Sequence, residues 1–382
     1  MPFYVSRGVI PPKRHTAFKN DDGRIYYEEL VSRQGFSSIY SNYYHLHRPT
    51  KIKQVGSLVK LDLKHVAKQH RHRHIITSKI KSSGDILSSR TPLFFNDDVS
   101  ISVATVNKSM DYFYRNGIAD ELLYIQSGSG KLLSNLGDLW CDLGDYIVIP
   151  RGIIWQVVPD KEMKILVIHS AGPIETPGRY RNRFGQLMEH SPFCERDIKT
   201  PILQDPVDKS GEFIVKTRTS SGLQEYSYAH HLFDIVGWDG YYFPWSFNIN
   251  DFEPIVGSIH QPPPVHQTFQ APGFVVCSFV PRLFDFHPDS IPAPYPHSNV
   301  DSDEIIYYSS GDFISRQGIQ SESITHHPMG LPHGPQPGKY KSSIGKDRAD
   351  EFAVMIDTFK PLKITEAARS IDDSDYPFSW MD

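Results

Sequence analysis

The feature that most limits the fold of this chain is a spacing that occurs twice. Glu121 is followed seven positions on by Gly128. Gly144 then leads, after five residues, to Pro150-Arg151-Gly152, and two further residues bring Trp155. Later, Glu304 is followed seven positions on by Gly311, and Pro328-Met329-Gly330 is followed after two residues by His333. A repeat at about 180 residues means two similarly built units. Short apolar runs surround both copies, at 101–106, 121–125, 145–149, 164–168, 274–280, 305–308 and 352–356. Runs of this length between turn residues predict strands. The 29 Pro, 26 Gly, 20 Tyr and 22 Phe suit a chain of turns and aromatic strands. Helix is expected only at 182–190 and around 366–373.

Composition narrows the class. At 382 residues with 22% charged side chains, the chain can build two cores of ordinary globular type. No apolar run approaches the length of a membrane span, and the N-terminus has no secretory apolar stretch. Three cysteines, Cys141, Cys194 and Cys277, form no close pair. Together these predict a cytoplasmic protein without a disulfide framework. The net charge of -4 is unevenly spread, with 15 Lys and Arg against 5 Asp and Glu in residues 1–80. The most basic stretch is 64–74, rich in His, Lys and Arg. It reads as a solvated face or a surface meeting an acidic part of another subunit. A nucleic-acid patch is the weaker reading, because no accompanying motif supports it.

The repeated spacing resembles the two cupin motifs. In these, His and Glu project inward from adjacent strands of a small jelly roll, and a Pro-x-Gly turn precedes a strand whose His faces the same interior. The expected fold is therefore an all-β bicupin. The C-terminal copy keeps His297, Glu304 and His333, with Asn299 where a second motif-one His would stand. Two His and one carboxylate with open positions point to a non-haem Fe(II) site. Asp303 competes with Glu304, and the spacing to Gly311 favours Glu304. Glu322 stands where motif two would open with Gly, so that turn is expected to differ. The N-terminal copy has no upstream His for Glu121 and carries Trp155 in place of the motif-two His. It is expected to be a metal-free structural barrel.

Read outward from the triad, residues 100–360 resemble the homogentisate 1,2-dioxygenases. The resemblance is carried by Phe233-Asp234-Ile235-Val236-Gly237-Trp238, the aromatic 241–245 stretch, Phe279-Val280-Pro281-Arg282 and Pro332-His333-Gly334-Pro335. The chain is shorter than the better-known members. The resemblance implies Fe(II) and O2, opening of a hydroquinone-acid ring with both oxygen atoms entering the product, and trimers pairing into hexamers. It implies a general base at His260, with His266 competing, and substrate contacts from His327, His333, Arg316 and Phe313. The family has Tyr at the position of Phe313 and Lys at that of Arg316. Losing the Tyr hydroxyl puts homogentisate itself in more doubt than the reaction class.

The expected organisation is a β-rich arm over 1–95, a degenerate cupin over 96–175, a connecting segment over 176–250, a metal-binding cupin over 251–360 and a tail over 361–382. Two other functions fit parts of this pattern. One is a non-catalytic metal-binding bicupin, either a sensor or a storage protein. The other is a different metal cupin, such as a gentisate-type dioxygenase or a Zn or Mn isomerase, although Asn299 argues against the isomerase. Partners are expected to be a small aromatic substrate and O2, with no nucleic acid or membrane.

Overall fold

A computed structural model describes residues 3–34, 37–66, 69–256, 263–284, 291–313 and 315–381. Strands dominate it. Among the described residues no helix is long and apolar enough to cross a membrane. The first expected helix is absent, because 182–190 is a series of turns. The Asn182 side chain accepts from the backbone N–H of Phe184 (2.9 Å) and Gln186 (3.2 Å), and Gly185 follows at φ 86°. An Asn that bonds its own local backbone competes with a helix. The second is present as Glu366–Ser370, capped by Thr365, whose hydroxyl accepts from Ala368 N–H at 3.2 Å.

The N-terminal barrel is built on two long strands, Asp120–Ser134 and Ile154–Ser170. They pair antiparallel from Trp155↔Ser134 to Ser170↔Asp120, with irregularities between Pro159 and Ile165. Such bulges let a long strand bend from one side of a barrel to the other. Both faces of 121–125 are buried, one inside this barrel and one against the second. This explains why the run is continuously apolar rather than alternating.

The second barrel is a six-stranded sheet. Its order is Gln267–Ala271, Phe274–Phe279, Glu351–Thr358, Asp303–Gly311, Ser323–His327 and Arg73–Ile76. The barrels share one apolar core. Polar contacts lock them together: Tyr124 OH donates to Ser309 Oγ at 2.8 Å, Gln126 Nε2 to Ser309 O at 2.9 Å, and Tyr146 OH lies 2.8 Å from Ser278 Oγ. The two copies of the repeat superpose in logic at their glycines. Gly128 and Gly311 have φ of 81° and 103°, and a Cβ at either would stand 2.0 or 2.1 Å from a backbone oxygen. Only Gly fits there.

Strands cross the boundaries read from the sequence. The segment Arg73–Ile76, within the expected arm, is the edge strand of the second barrel, paired with Ser323–His327. Lys363–Ile364, within the expected tail, pairs with Phe94–Phe95 of the first. Ile52–Lys60 extends the first barrel's sheet beyond Gly222–His230. The remaining arm strands, Val5–Gly8, Tyr27–Ser32 and Tyr40–His45, form a four-stranded sheet with Ile235–Gly240.

The basic stretch is a solvated face only in part: Lys64, His65, Gln69 and His70 are exposed, but 71–74 is drawn inward. Arg73 and Arg71 both donate to Asp372 Oδ2, at 2.6 and 2.8 Å, and His74 Nδ1 lies 3.4 Å from Asp373. The acidic partner is the tail of the same chain. Ala67 and Lys68 lie outside the described residues. Glu322 is a second departure from expectation. It holds φ 68°, so the turn keeps the left-handed backbone that Gly would supply, and Lys164 Nζ grips its carboxylate at 2.7 and 2.8 Å.

Asp372→Ala leaves the Arg73 guanidinium buried without its anion. It should lower stability by about 3 kcal/mol or more in urea unfolding. Lys346→Ala removes an exposed pair with Asp312 and should change it by less than about 1 kcal/mol.

Candidate metal centre

Strand alternation sets what enters the second barrel. On Asp303–Gly311 the inward positions are Glu304, Ile306 and Tyr308, and across the register on Glu351–Thr358 they are Asp357, Met355 and Ala353. All six line a cavity of about 570 Å³. Asp303 faces the other way. It accepts from Met329 N–H (2.8 Å) and Leu362 N–H (2.7 Å) and lies 3.1 Å from His326 Nε2. The carboxylate inside the barrel is thus Glu304, and His326 points away from the cavity as alternation predicts.

His297 and His333 are brought to Glu304 by a short bridge, each backbone N–H donating to the other's carbonyl at 2.8 Å. Both rings are oriented alike. His297 Nδ1 lies 3.1 Å from Tyr295 O, and His333 Nδ1 lies 3.3 Å from Leu331 O. An Nδ1–H bonded to a carbonyl leaves the Nε2 lone pair for a metal. His297 Nε2 is 3.9 Å from Glu304 Oε2, His333 Nε2 is 3.4 Å from Oε1, and the three ligand atoms all lie within 4.8 Å of one another. His333 Nε2 is buried without a hydrogen-bond partner. That orphaned nitrogen, the spacing and the donor set fit a divalent transition metal.

Burial alone would raise the Glu304 carboxyl. The imidazoles of His297, His327 and His333 gathered around it instead hold it well below the usual carboxylate range.

His327 is fully buried behind the centre, its ring stacked 4.4 Å from that of His333. Its Nδ1 lies 2.7 Å from Glu304 Oε1, while Nε2 faces Tyr376 OH at 3.2 Å and Arg316 Nη2 at 3.4 Å. Burial and the Arg316 charge push it well below the usual imidazole range, so the ring is neutral with Nδ1–H donating to Glu304. His327, expected to contact substrate, is not on the cavity wall; it stands behind Glu304.

Arg316 does line the cavity. Its Nε donates to Tyr308 OH at 3.2 Å, and its Nη1 donates to Gly334 O. Phe313 is buried and packs edge-on against Tyr308 at 4.7 Å. The ring at 313 therefore supports the phenol at 308, which presents a hydroxyl beside Arg316. His260 lies outside the described residues. His266 lines the cavity, with its Nδ1 buried and unpartnered, and burial and Arg282 push it down to about 3.

Several site groups have no motif in the sequence. Tyr308 sits four residues after Glu304, and strict alternation along the strand would have placed it inside. Tyr376 and Trp380 come from the tail, and His72 from the arm. The His72 ring lies 5.4 Å from His327 and 5.2 Å from Trp380, and its Nε2 is 3.1 Å from Pro332 O. No local pattern signals these, because the contacts span 250 residues or more or lie in an unpatterned tail.

The matching position in the first barrel is built differently. Glu121 lies 2.6 Å from His169 Nε2, and Arg90 Nη1 reaches it at 3.2 Å, with Tyr114 OH and Asn116 Nδ2 each at 3.1 Å. A guanidinium thus meets Glu121, where Glu304 is met by imidazoles, and Trp155, fully buried, packs edge-on against Tyr114 at 4.9 Å.

Residues 86–249 match the family model described as homogentisate 1,2-dioxygenase N-terminal. A Saccharolobus solfataricus protein named a putative dioxygenase is 42% identical over 100% of this chain and 99% of its own length. A homogentisate 1,2-dioxygenase of Nitrobacter hamburgensis is 26% identical over 72% of this chain. The chain spans 64% of that enzyme's length. Among solved structures, a cupin 2 conserved barrel domain protein from Leptotrichia buccalis aligns at TM-score 0.35 and 11% identity, over 80% of this chain and 100% of its own. The fold and site define a bicupin with a candidate metal centre in its second barrel. The chain belongs to the same family as the Saccharolobus protein, and its residues 86–249 are built like the N-terminal part of the homogentisate 1,2-dioxygenases.

His327→Ala leaves all three candidate ligands in place but frees Glu304. Metal affinity, read by chelator competition, should fall about tenfold to a hundredfold.

Proposed function

We propose that this chain is an Fe(II)-dependent dioxygenase that opens the ring of homogentisate, giving maleylacetoacetate, or of a close hydroquinone acid such as gentisate. The observation that carries this reading is the His297–Glu304–His333 group at a cavity also lined by Arg282, Arg316, Tyr308 and His266. Iron held by His297, Glu304 and His333 would supply the Lewis-acid and redox chemistry that a phenol and O2 need. The protein's part is orientation and charge. Arg282 and Arg316 supply positive charge for a substrate carboxylate, although Arg282 already faces Glu351 at 3.3 Å and Arg316 already donates to Tyr308 and Gly334. The neutral, buried His266 ring accepts a hydrogen bond from a phenolic hydroxyl, a role the sequence favours for His260. With a basicity this low, it guides the proton rather than keeping it. His72, Tyr376 and Trp380 close the back of the centre against water.

The same reading places the reaction in the cytoplasmic breakdown of tyrosine and phenylalanine. We also propose that the chain works as a homo-oligomer, trimeric or hexameric. Ile52–Lys60 supports this, since all nine of its residues are exposed, including Val55 at 65% and Val59 at 53%. Strand edges of this kind are normally covered. Light scattering should give a mass of at least three chains.

The decisive measurement is O2 uptake by anaerobically iron-loaded protein across homogentisate, gentisate and simpler hydroquinones. Uptake with an acid-bearing hydroquinone is expected, and His333→Ala should lose more than about a hundredfold in both iron affinity and rate. Iron bound at one per chain without uptake on any of these would favour a non-catalytic metal sensor.

A further inference from the structure

Asp357 occupies an unusual place. In the antiparallel register it lies directly opposite Glu304, on the inward face of Glu351–Thr358. Directly opposed residues have Cβ atoms about 5 Å apart. Its other neighbour is Val275, which offers nothing polar from its side chain. The cavity wall around it includes His297, Glu304 and Met355. Asp357 Oδ1 is buried and has no hydrogen-bond partner.

Other carboxylates of this barrel are accounted for. Asp303 has two backbone N–H groups and His326, and Glu351 has Arg282. Arg316 does not serve Asp357, because its donors go to Tyr308, Gly334 and His327. An inward barrel position is normally apolar, and a buried carboxylate without a partner there is costly unless a cation meets it. The groups gathered at this end of the cavity are two carboxylates and two imidazoles whose Nδ1 atoms are tied to carbonyls. Two negative charges match one divalent ion.

We infer that Asp357 is an outer carboxylate of the metal centre: it stands beside the His297–Glu304–His333 group without joining it, and its free oxygen is taken by a water that the ion holds. The inference rests on the metal-centre reading above and not on the choice of substrate. It changes the electrostatics of the site: an ion there would be neutralised by protein charge before any substrate arrives.

The test uses full-length, metal-free protein. Co(II), Fe(II) and Mn(II) are titrated anaerobically against a competing chelator, with the Co(II) absorption spectrum recorded. Asp357→Asn keeps the shape and removes the charge. It should lower affinity for each ion about tenfold to a hundredfold and shift the Co(II) bands. Its metal-free form should melt no lower than wild type, since Asn replaces an unpartnered buried carboxyl of the same shape. Unchanged affinity with an unchanged Co(II) spectrum would overturn the role of Asp357. If D357N does not fold, Asp357→Ser carries the test with the same two outcomes. Wild-type protein that takes up no ion defeats the metal centre itself, so the two failures are told apart.

Discussion

A carboxylate buried inside a β-barrel has to be met by positive charge or hydrogen-bond donors, and the rest of this molecule is arranged around that need. Glu304 is held by three imidazoles, two of them aimed by backbone carbonyls and the third, His327, aimed by Tyr376 and Arg316. The first barrel meets the same constraint at Glu121 with Arg90 and His169. One acid is met by imidazoles; the other is met by a guanidinium as well. The two barrels thus differ in what neutralises one buried acid.

The support for Glu304 reaches far through the chain. Tyr376 belongs to the tail, which is held by Arg71 and Arg73 through Asp372. Those arginines flank and begin the edge strand that completes the second barrel. Arm, barrel and tail therefore form one continuous arrangement behind the metal centre, and a fault in the Asp372 pair would be felt by the groups that orient His327. The first barrel supplies the wall on which this rests, through Tyr124, Gln126 and Tyr146.

Much of the fold was legible because strand runs, turn glycines and the duplicated spacing are local signals. Gly128 and Gly311 are required by backbone crowding and stand at equal distances from their glutamates. His297, Glu304 and His333 follow from the same register. The misreadings have a common cause. The end of the basic stretch, 71–74, looked as solvated as the rest because its partners, Asp372 and Asp373, are about 300 residues away. His327 looked like a substrate contact because spacing from His333 gives proximity to the centre but not which side of Glu304 the ring takes. The 182–190 segment looked helical because an Asn that folds back on its own backbone leaves no trace in apolar periodicity.

By itself, the sequence determined that the chain is built from strands in two related barrels and that the second carries two histidines and a carboxylate in metal-binding register. These follow from alternation and turn geometry, which act over a few residues. Only the tertiary structure decided that Arg90 meets Glu121 in the first barrel, that Tyr308 rather than residue 313 presents a hydroxyl beside Arg316, and that Asp357 stands opposite Glu304 with an oxygen unpartnered. Those outcomes depend on which strands pair and in what register, and pairing across a barrel joins residues whose separation in sequence carries no signal of their contact.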